Sequence, residues 1–387
     1  MSNKKILFIP SNRNHVDIFY DISNNFKKNY DVLYISQESY KNEDAEQKLV
    51  ELNLNFKRFE DYKKKDPKSI LKEENIGIVV VGNDTDVIPQ WFINCANELG
   101  IPSVLIQDGL MFDMKIARQG PLDHLLHMLT HSKIKLLALA LRLILSGKYH
   151  RITDGNSGCT QIHVWGAISE SYYVNKGVDK KKIVITGRPK HVTVDDKFKK
   201  REDDLKTILY APTEMVNTRI VTKDENEQLI DDLCSTVLSL DKIKLIIKPH
   251  TGENMVLYEK FKEKYGNKIE ISNSNFYDLL PMSDIMITNI STTTIEALAE
   301  SKPIIIFFPK IENIVNSDTF PRDLIKENIV LYAADKKSLL EQLNKIMNGD
   351  FMLSKNQLNE MLEKYLGPND SDALLRSISF IEKLLNQ

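Results

Sequence analysis

A histidine stands at the end of one predicted strand. The stretch KLIIKPHTGEN (244–254) is an apolar run that stops at Lys248 and Pro249 and is followed by His250. Strand packing does not require a lysine, a proline and a histidine in succession, so this pattern indicates a functional role. An imidazole at a strand's carboxyl end can donate a hydrogen bond to a leaving phosphate without a metal ion. We therefore predict that His250 is catalytic and that Lys248 adds positive charge to a phosphate site.

A hydroxyl-rich turn follows one strand–helix–strand step later. SDIMITNISTTTIEALAESKPIIIFF (283–308) is typical of a buried strand, a polar turn and a helix that begins at Ile295. Free backbone N–H groups at a helix start, together with hydroxyls, can bind phosphate oxygens. Glu296 can either cap that helix or accept hydrogen bonds from a ribose, and ordinary Ser/Thr capping is the alternative for the whole turn. The predicted phosphate ligands are Ser291, Thr292, Thr293 and Thr294.

Two further strand ends carry groups that suit a phosphate. In LYAPTEM (209–215) the Thr213 hydroxyl follows a strand, although a plain strand-to-loop turn explains that stretch equally well. In ITGRPKHV (185–192) Gly187 permits a tight turn before Arg188, whose guanidinium can bind phosphate oxygens. Only Glu296 supplies a carboxylate close to the hydroxyl-rich turn, so we predict no metal ion and no cofactor.

These residues need strands that end at a common edge of a sheet. Apolar runs recur along the chain, and each is followed by a loop and a helical stretch. Continuous apolar strands alternating with helices are typical of a parallel sheet covered on both faces. The runs lie at 6–10, 32–36, 76–82, 102–109, 161–166 and 182–187, and then at 207–213, 243–250, 268–272, 285–289, 303–308 and 329–334. The sequence therefore predicts an α/β protein with two Rossmann-like domains.

A charged segment separates the two series of strands. VDDKFKKREDDLK (194–206) has no apolar period, so it is predicted to link an N-terminal domain, 1–193, to a C-terminal domain, 207–387. Open parallel sheets bind ligands beyond the carboxyl ends of their strands, and two such domains facing each other would form a cleft for two substrates. The final helical stretch is expected to pack back on the N-terminal domain.

Composition excludes several classes of protein. The 52 basic and 54 acidic residues give a net charge of -2, which removes any whole-molecule argument for nucleic-acid binding. Cys95, Cys159 and Cys234 are few and far apart, so a disulfide framework or zinc site is not expected. In the start MSNKKILFIP, the apolar stretch before the proline is too short for the apolar region of a signal peptide, so this stretch is predicted to be a strand. A cytoplasmic location is expected.

The segment 122–147 is a Leu-rich helical insertion in the first series of strands. Its apolar run, Ile134 to Leu145, is too short and too charged to span a bilayer. An interfacial helix that holds the protein near a lipid-linked acceptor is one interpretation, and burial against the sheet or a partner subunit is the favoured one. His124, His127 and His131 have helical spacing, but without an HExxH motif they do not indicate a metal site.

Several stretches together resemble a known group of enzymes. They are VWG (164–166), KIVITGRP (182–189), LYAPT (209–213), IKPH (247–250), SDIMITNISTTTIEALA (283–299) and PNDSDALLRS (368–377). In this order they resemble surface-polysaccharide transferases of the GT-B fold, above all the CDP-glycerol glycerophosphotransferase group and the GT-B sialyl- and Kdo-type transferases. The resemblance extends over about 160 to 377.

The resemblance implies roles for individual residues. The donor would be held in the C-terminal domain by His250, Ser291 and Thr292, and the acceptor would bind the N-terminal domain. These families place an acidic residue or a histidine before a glycine as the catalytic base, which in IQDG (106–109) is Asp108. The glycerophosphotransferase group usually has a histidine there, so Asp108 favours a sugar transferase. A plain turn aspartate is the alternative for Asp108, with His15 or Asp113 then as the base.

The expected function is that of an inverting, metal-independent glycosyltransferase. Its donor would be a CMP-, CDP- or UDP-linked sugar, and its acceptor a surface glycan or a lipid-linked precursor, such as that of a capsule, at the inner face of the cell membrane. A CDP-glycerol-type alditol phosphate transferase is the first alternative. A non-hydrolysing UDP-GlcNAc 2-epimerase is the second, although the turn NISTTTIEA lacks the paired glycines of those epimerases. A non-catalytic scaffold for glycan assembly is the third.

Overall fold

The computed structural model describes residues 4–26, 29–37, 45–62, 66–113, 134–147, 149–150, 152–189, 205–216, 218, 220–250, 253, 255–368, 370 and 372–387. The chain divides into two compact units. The first consists of Met1–Met111, Arg118–His191 and Glu363–Gln387, and the second of Phe112–Ala117 and Val192–Leu362.

The first unit is built on a parallel sheet. Its strands are β1 (Lys5–Ile9), β2 (Val32–Ser36), β3 (Phe56–Arg58), β4 (Ile76–Val81), β5 (Ser103–Ile106), β6 (Gln161–Val164) and β7 (Ile183–Ile185), in the order β3-β2-β1-β4-β5-β6-β7. The helices between them are α1 (Arg13–Phe26), α2 (Ala45–Glu51), α3 (Pro67–Glu73), α4 (Val87–Leu99), α5 (Ile134–Leu145) and α6 (Ala167–Asn175).

The second unit repeats this architecture. Its strands are β8 (Lys206–Tyr210), β9 (Ile243–Ile247), β10 (Ile269–Ile271), β11 (Ile285–Thr288), β12 (Ile304–Phe307) and β13 (Leu331–Ala333), all parallel, in the order β10-β9-β8-β11-β12-β13. Its helices are α7 (Lys223–Val237), α8 (Met255–Tyr265), α9 (Phe276–Leu279), α10 (Thr293–Ala299), α11 (Arg322–Lys326), α12 (Lys336–Met347) and α13 (Lys355–Leu366). The chain then enters α14 (Ala373–Leu385).

Both faces of the first sheet are buried, as a continuous apolar strand requires. In β1, Ile6 and Phe8 face one core, whereas Leu7 and Ile9 face the other. Helix α14 covers the first of these faces, where its apolar residues pack with α1 and β4. Those residues are Ile378, Ile381, Leu384 and Leu385. Because successive side chains point to opposite faces, this pattern needs apolar residues at every position of the strand.

The predicted strands are all present, and the structure adds one. Strand β3 was missed because it is only three residues long, lies at the sheet edge and carries Lys57 and Arg58 on exposed positions. Helix α10 begins at Thr293, two residues earlier than predicted. Most of the predicted linker, 194–206, falls outside the described residues, and Lys206 belongs to β8.

The described part of the 122–147 insertion is α5 with the two residues that follow it. Ala140 and Leu143 are buried in the core of the first unit. Leu141, Ile144 and Leu145 are exposed, the last to 87%. His124, His127 and His131 lie outside the described residues. No helix in the described part of the chain is long and apolar enough to cross a membrane.

A buried histidine links α14 to the sheet and makes stability depend on pH. His163 on β6 is 1% exposed, and its Nδ1 lies 2.7 Å from the Ser377 hydroxyl. Burial lowers the pKa of His163 to about 3. Since the unfolded chain binds this proton near pH ~6.5 and the folded chain does not, stability falls as the pH drops from ~6.5 towards ~3.

We expect His163→Gln to flatten this dependence by up to about 1.4 kcal/mol per pH unit within that window. Urea unfolding at a series of pH values measures the slope for both proteins. His150→Gln, which changes an exposed histidine, serves as the control. Equal slopes for wild type and His163→Gln would show that His163 does not resist protonation.

Candidate active site

Asp108 follows β5 on a backbone segment that is fixed on both sides. The amide of the buried Gln107 donates hydrogen bonds to the Gly109 carbonyl (2.7 Å) and the Ser169 hydroxyl (2.8 Å). Trp165 donates its backbone N–H to Gln107 Oε1 (2.8 Å) and its indole N–H to the Gln107 carbonyl (3.1 Å). The ends of β5 and β6 are therefore tied together, and Asp108 has a defined position beside them.

The carboxylate of Asp108 pairs with an imidazole from α1. Oδ2 of Asp108 lies 2.8 Å from Nε2 of His15. The other ring nitrogen, Nδ1, accepts the backbone N–H of Ser11 (3.0 Å). An imidazole nitrogen that accepts a hydrogen bond carries no proton, so in the neutral ring the proton is on Nε2 and is donated to Asp108. His15 is 2% exposed, whereas the Asp108 side chain is 28% exposed.

Asn12 reinforces the pair. Its Oδ1 accepts the backbone N–H of His15 (2.9 Å), and its Nδ2 donates to Oδ2 of Asp108 (3.3 Å). Burial alone would raise the pKa of Asp108, but the adjacent imidazole of His15 and the hydrogen bonds from His15 and Asn12 outweigh it. The pKa of Asp108 therefore lies below its ordinary value, and the group is an anion at neutral pH.

A glycine at the end of β4 makes room for the imidazole. A Cβ added to Gly82 would lie 2.6 Å from Nδ1 of His15, so any other residue would displace the ring. Strands β1, β4 and β5 are neighbours, and β1 and β4 flank the point where the strand order reverses. The pair thus occupies the position where open α/β sheets bind ligands. The contribution of Asn12 and Gly82 was not predicted.

The second sheet has its own set of polar strand ends. Strands β9, β8 and β11 are adjacent and parallel, so their carboxyl ends lie along one edge. That edge carries Lys248 and His250 after β9, Thr213 after β8, and Ser291 after β11. The sequence prediction grouped these residues, and the sheet order places them in neighbouring loops at the switch point of this sheet.

His250 is exposed at this edge, and its backbone is fixed by a hydrogen bond to Glu253. Its N–H donates to Oε2 of Glu253 (3.3 Å), which also accepts the hydroxyl of Tyr258. Protein atoms around the covered side of the ring lower the pKa of His250, the charge of Lys248 acts in the same direction, and Glu214 opposes them. The ring is therefore neutral at pH 7 and has one N–H to donate. Burial also lowers the pKa of the half-buried Lys248.

An asparagine that the prediction overlooked connects β8 and β11. Asn289 is fully buried, its Oδ1 accepts the Thr213 backbone N–H (2.8 Å), and its Nδ2 contacts Met215 Sδ (3.1 Å). The Thr288 hydroxyl donates to the Ala211 carbonyl (2.6 Å). The loop that carries Thr213 is thereby fixed to the start of the hydroxyl-rich turn. The sequence signal for this connection is the polar pair Thr288–Asn289, at which the buried strand β11 ends.

Some hydroxyl groups of the hydroxyl-rich turn form hydrogen bonds within the turn itself. The Ser291 hydroxyl lies 2.8 Å from the Thr293 hydroxyl and accepts the Thr293 backbone N–H (3.4 Å). Thr292 is exposed and makes no side-chain cap, and Glu296 is half-buried in the first turn of α10. Thr294 is fully buried, so its prediction as a phosphate ligand was wrong: its side chain faces the interior.

Substituting Ser291 and Thr292 together tests whether the turn binds a donor. We expect Ser291→Ala with Thr292→Ala to raise the donor KM by about tenfold with little change in kcat, because a phosphate contact made before reaction is mostly uniform binding. Initial rates over a range of donor concentrations measure this. Ser274→Ala, an exposed serine in the same unit, is the control. An unchanged donor KM would mean that the turn only caps the helix and does not bind the donor.

Arg188 lies in the first unit and is nearly buried. Its guanidinium carbon lies 5.4 Å from the Trp165 ring centre, and its backbone N–H donates to the Leu366 carbonyl (3.0 Å). Arg188 is 8% exposed. Its role in donor binding stays a prediction. Within the described residues, no group of three or more His, Cys, Asp or Glu side chains could hold a metal ion.

Comparison with known proteins identifies the group to which the chain is similar. The family model of CDP-Glycerol:Poly(glycerophosphate) glycerophosphotransferase matches residues 167–382. No curated protein sequence is similar enough to count as a match. The resemblance predicted from the sequence is therefore confirmed at the level of the family.

Solved structures show the fold. The Staphylococcus aureus MnaA–UDP structure has 13% identity and a TM-score of 0.60, with 99% of this chain and 97% of that chain covered. The Neisseria meningitidis UDP-GlcNAc 2-epimerase bound to UDP-GlcNAc has 12% identity and a TM-score of 0.60, with 99% and 100% covered. The wall teichoic acid polymerase TagF with CDPG has 12% identity and a TM-score of 0.58, with 99% and 89% covered.

These neighbours have the two Rossmann-like domains of the GT-B fold, as predicted. Because the family model covers more than half of the chain, this protein belongs to the CDP-glycerol:poly(glycerophosphate) glycerophosphotransferase family and is a GT-B transferase of a nucleotide-linked donor.

Proposed function

We propose that this protein is an inverting, metal-independent glycosyltransferase that moves a sugar from a nucleotide donor to a hydroxyl of a surface glycan. The observation that carries the proposal is the Asp108 carboxylate, which is part-exposed, ionised and held by His15 at the switch point of the first sheet. A carboxylate in such a position can remove a proton from an attacking hydroxyl.

The reaction would be a single displacement. The acceptor oxygen gives its proton to Asp108 and forms a bond to the anomeric carbon, while the bond from that carbon to the donor phosphate breaks. The electron pair of the broken bond remains on the leaving nucleotide. Positive charge develops at the anomeric carbon in such a transition state, and an anionic Asp108 stabilises it. The same anion would repel an anionic phosphorus centre. Asp108 therefore favours sugar transfer over phosphate transfer.

The second unit would bind the donor. His250 has an N–H to donate to the leaving phosphate, and the half-buried Lys248 adds charge beside it. Thr213, Ser291, Thr292, Thr293 and Glu296 would contact the nucleotide, and Arg188 completes the predicted set. Preorganised hydrogen-bond donors of this kind stabilise a leaving group without a metal ion. Asn289 fixes the loop that carries Thr213.

Transfer of an alditol phosphate from a CDP-alditol is the second candidate. The family match over 167–382 favours it, because that segment contains the whole hydroxyl-rich turn and His250. In this reaction the acceptor oxygen attacks the phosphorus of the alditol phosphate, Asp108 takes the acceptor proton, and CMP leaves with the electron pair. The repulsion between Asp108 and the phosphodiester is the argument against it.

A donor panel distinguishes the two candidates. The purified chain would be incubated with an oligosaccharide acceptor from the cell surface and with CMP-, UDP-, GDP- and dTDP-sugars, CDP-glycerol and CDP-ribitol, and the released nucleotide would be measured. Thermal shifts with CMP, CDP, UDP, GDP and dTDP identify the base, since a bound ligand raises the melting temperature by mass action. Acceptor-dependent release from a nucleotide sugar, undiminished in EDTA, is expected. Release from CDP-alditols alone, or activity that needs magnesium, would contradict the proposal.

We propose further that α5 contacts the membrane that carries the acceptor. Leu141, Ile144 and Leu145 form one exposed apolar face at helical spacing. Leu141→Gln with Leu145→Gln is expected to reduce co-sedimentation with phosphatidylglycerol vesicles, whereas Leu375→Gln, which changes an exposed leucine on α14, is not. Equal sedimentation of all three proteins would leave α5 without this role.

A further inference from the structure

The hydrogen bonds of His15 are fully committed within the protein. Its Nδ1 lone pair receives the Ser11 N–H (3.0 Å), and its Nε2 is directed at Oδ2 of Asp108 (2.8 Å). Nδ2 of Asn12 also lies 3.3 Å from Nε2, but because both groups carry protons, Asn12 donates to Oδ2 of Asp108 instead. The ring is 2% exposed and packs on Phe19, with the ring centres 6.0 Å apart. A base needs an unoccupied lone pair within reach of the substrate, and neither nitrogen of His15 offers one.

The roles within the pair follow from exposure and tautomer. Asp108 is the more exposed member of the pair, and only its Oδ2 is used by His15 and Asn12. The Ser11 amide fixes the imidazole proton on Nε2, because a backbone N–H can only donate. The space that the ring occupies depends on the missing side chain of Gly82, because a Cβ added there would lie 2.6 Å from Nδ1 of His15. The carboxylate is thus the reacting group, and the imidazole is its buried support.

We infer that His15 is a positioning residue whose Nε2–H holds Oδ2 of Asp108, so that Oδ1 is aimed outward to take the proton of the acceptor hydroxyl. This inference rests on the proposed function, in which Asp108 is the base. The proton moves from the acceptor to Oδ1, and His15 keeps its own proton throughout. His15 thereby acts on the reaction only through Asp108.

Two substitutions of His15 separate its contacts. A glutamine amide can place an N–H where Nε2 lies, so His15→Gln keeps the contact to Asp108. An asparagine amide reaches only as far as Nδ1, so His15→Asn keeps a partner for Ser11 and loses the contact to Asp108. We expect kcat to fall by less than about tenfold in His15→Gln and by about 10² or more in His15→Asn, with an unchanged donor KM. Equal losses in the two variants would overturn the inference.

A double-substitution cycle gives the second measurement. If His15 acts through Asp108, His15→Asn should have no further effect on kcat in an Asp108→Asn background. Additive losses would show that His15 reacts independently, as a base would.

The contact can also be measured without activity. Carbon-13 NMR titration of carboxyl-labelled aspartate should show a higher pKa for Asp108 in His15→Asn than in wild type, and a smaller change in His15→Gln. If the wild-type protein transfers no sugar but the pKa of Asp108 still rises in His15→Asn, the proposed function is refuted, whereas the contact between His15 and Asp108 is supported. Active protein whose Asp108 pKa is the same in all variants, with only the melting temperature lowered, would refute the positioning role.

Discussion

Asp108→Asn is expected to lower the transfer rate by about 10² to 10⁴ while the donor affinity stays nearly unchanged. Asparagine has the shape of aspartate and can keep a hydrogen bond to Nε2 of His15, but its amide cannot accept a proton from a hydroxyl. The loss should therefore appear in kcat. Rates at saturating donor, together with a donor Kd from calorimetry, measure the two quantities separately.

A matched aspartate supplies the control for this substitution. Asp17 lies on the same helix as His15, and its exposed carboxylate forms an ion pair with the part-buried Lys48 (3.0 Å). An ion pair with a solvent-exposed carboxylate contributes little to stability, so Asp17→Asn should have wild-type activity. Wild-type transfer by Asp108→Asn would assign the base to another group. A collapse of its melting temperature would instead identify Asp108 as a structural turn residue.

His250→Ala is expected to lower kcat by about 10² or more in a protein that remains folded. The residue is exposed, so its side chain contributes little to the core. A lost hydrogen-bond donor at the leaving phosphate costs transition-state stabilisation on the order of 3 kcal/mol. Because the pKa of His250 is lowered, the ring is neutral at pH 7, and the wild-type rate should not fall as the pH rises from 7 to 8.

Two variants define the contribution of the N–H group. His250→Gln retains an N–H and should recover part of the rate, whereas His150→Ala removes another exposed histidine and should have no effect. Single-turnover rates and circular dichroism spectra would be compared across the set. Normal transfer by His250→Ala would show that the histidine after Lys248 and Pro249 has no role in the reaction.

Most of the fold could be predicted because buried parallel strands require continuous apolar runs. VLYIS and IGIVVV are such runs, and they coincide with β2 and β4. Strand β3 could not be predicted: its pairing with β2 fixes FKR as a strand, and only Phe56 of the three residues favours one. Tertiary context outweighs propensity in such an edge strand.

The site could be predicted only in part. His250 and Ser291 stand directly after apolar runs, so sheet topology alone brings their loops to one edge. Asp108 came from resemblance to a family, and its partner His15 was considered only as a substitute base. The two are 93 positions apart, and their contact depends on the register of β1 against β4 and β5. Gly82 has a meaning only once the position of the imidazole is known.

The position of α14 determines when the first unit can finish folding during synthesis. Residues 378–385 supply part of the core that Ile6, Phe8 and Val80 share, although β1 leaves the ribosome first. Domains usually fold in the order in which they are made. Here the second unit can complete its sheet while the apolar face of the first is still uncovered. A nascent chain stalled before residue 363 should therefore bind chaperones through the segment that was made first, and the second unit should become protease-resistant before the first.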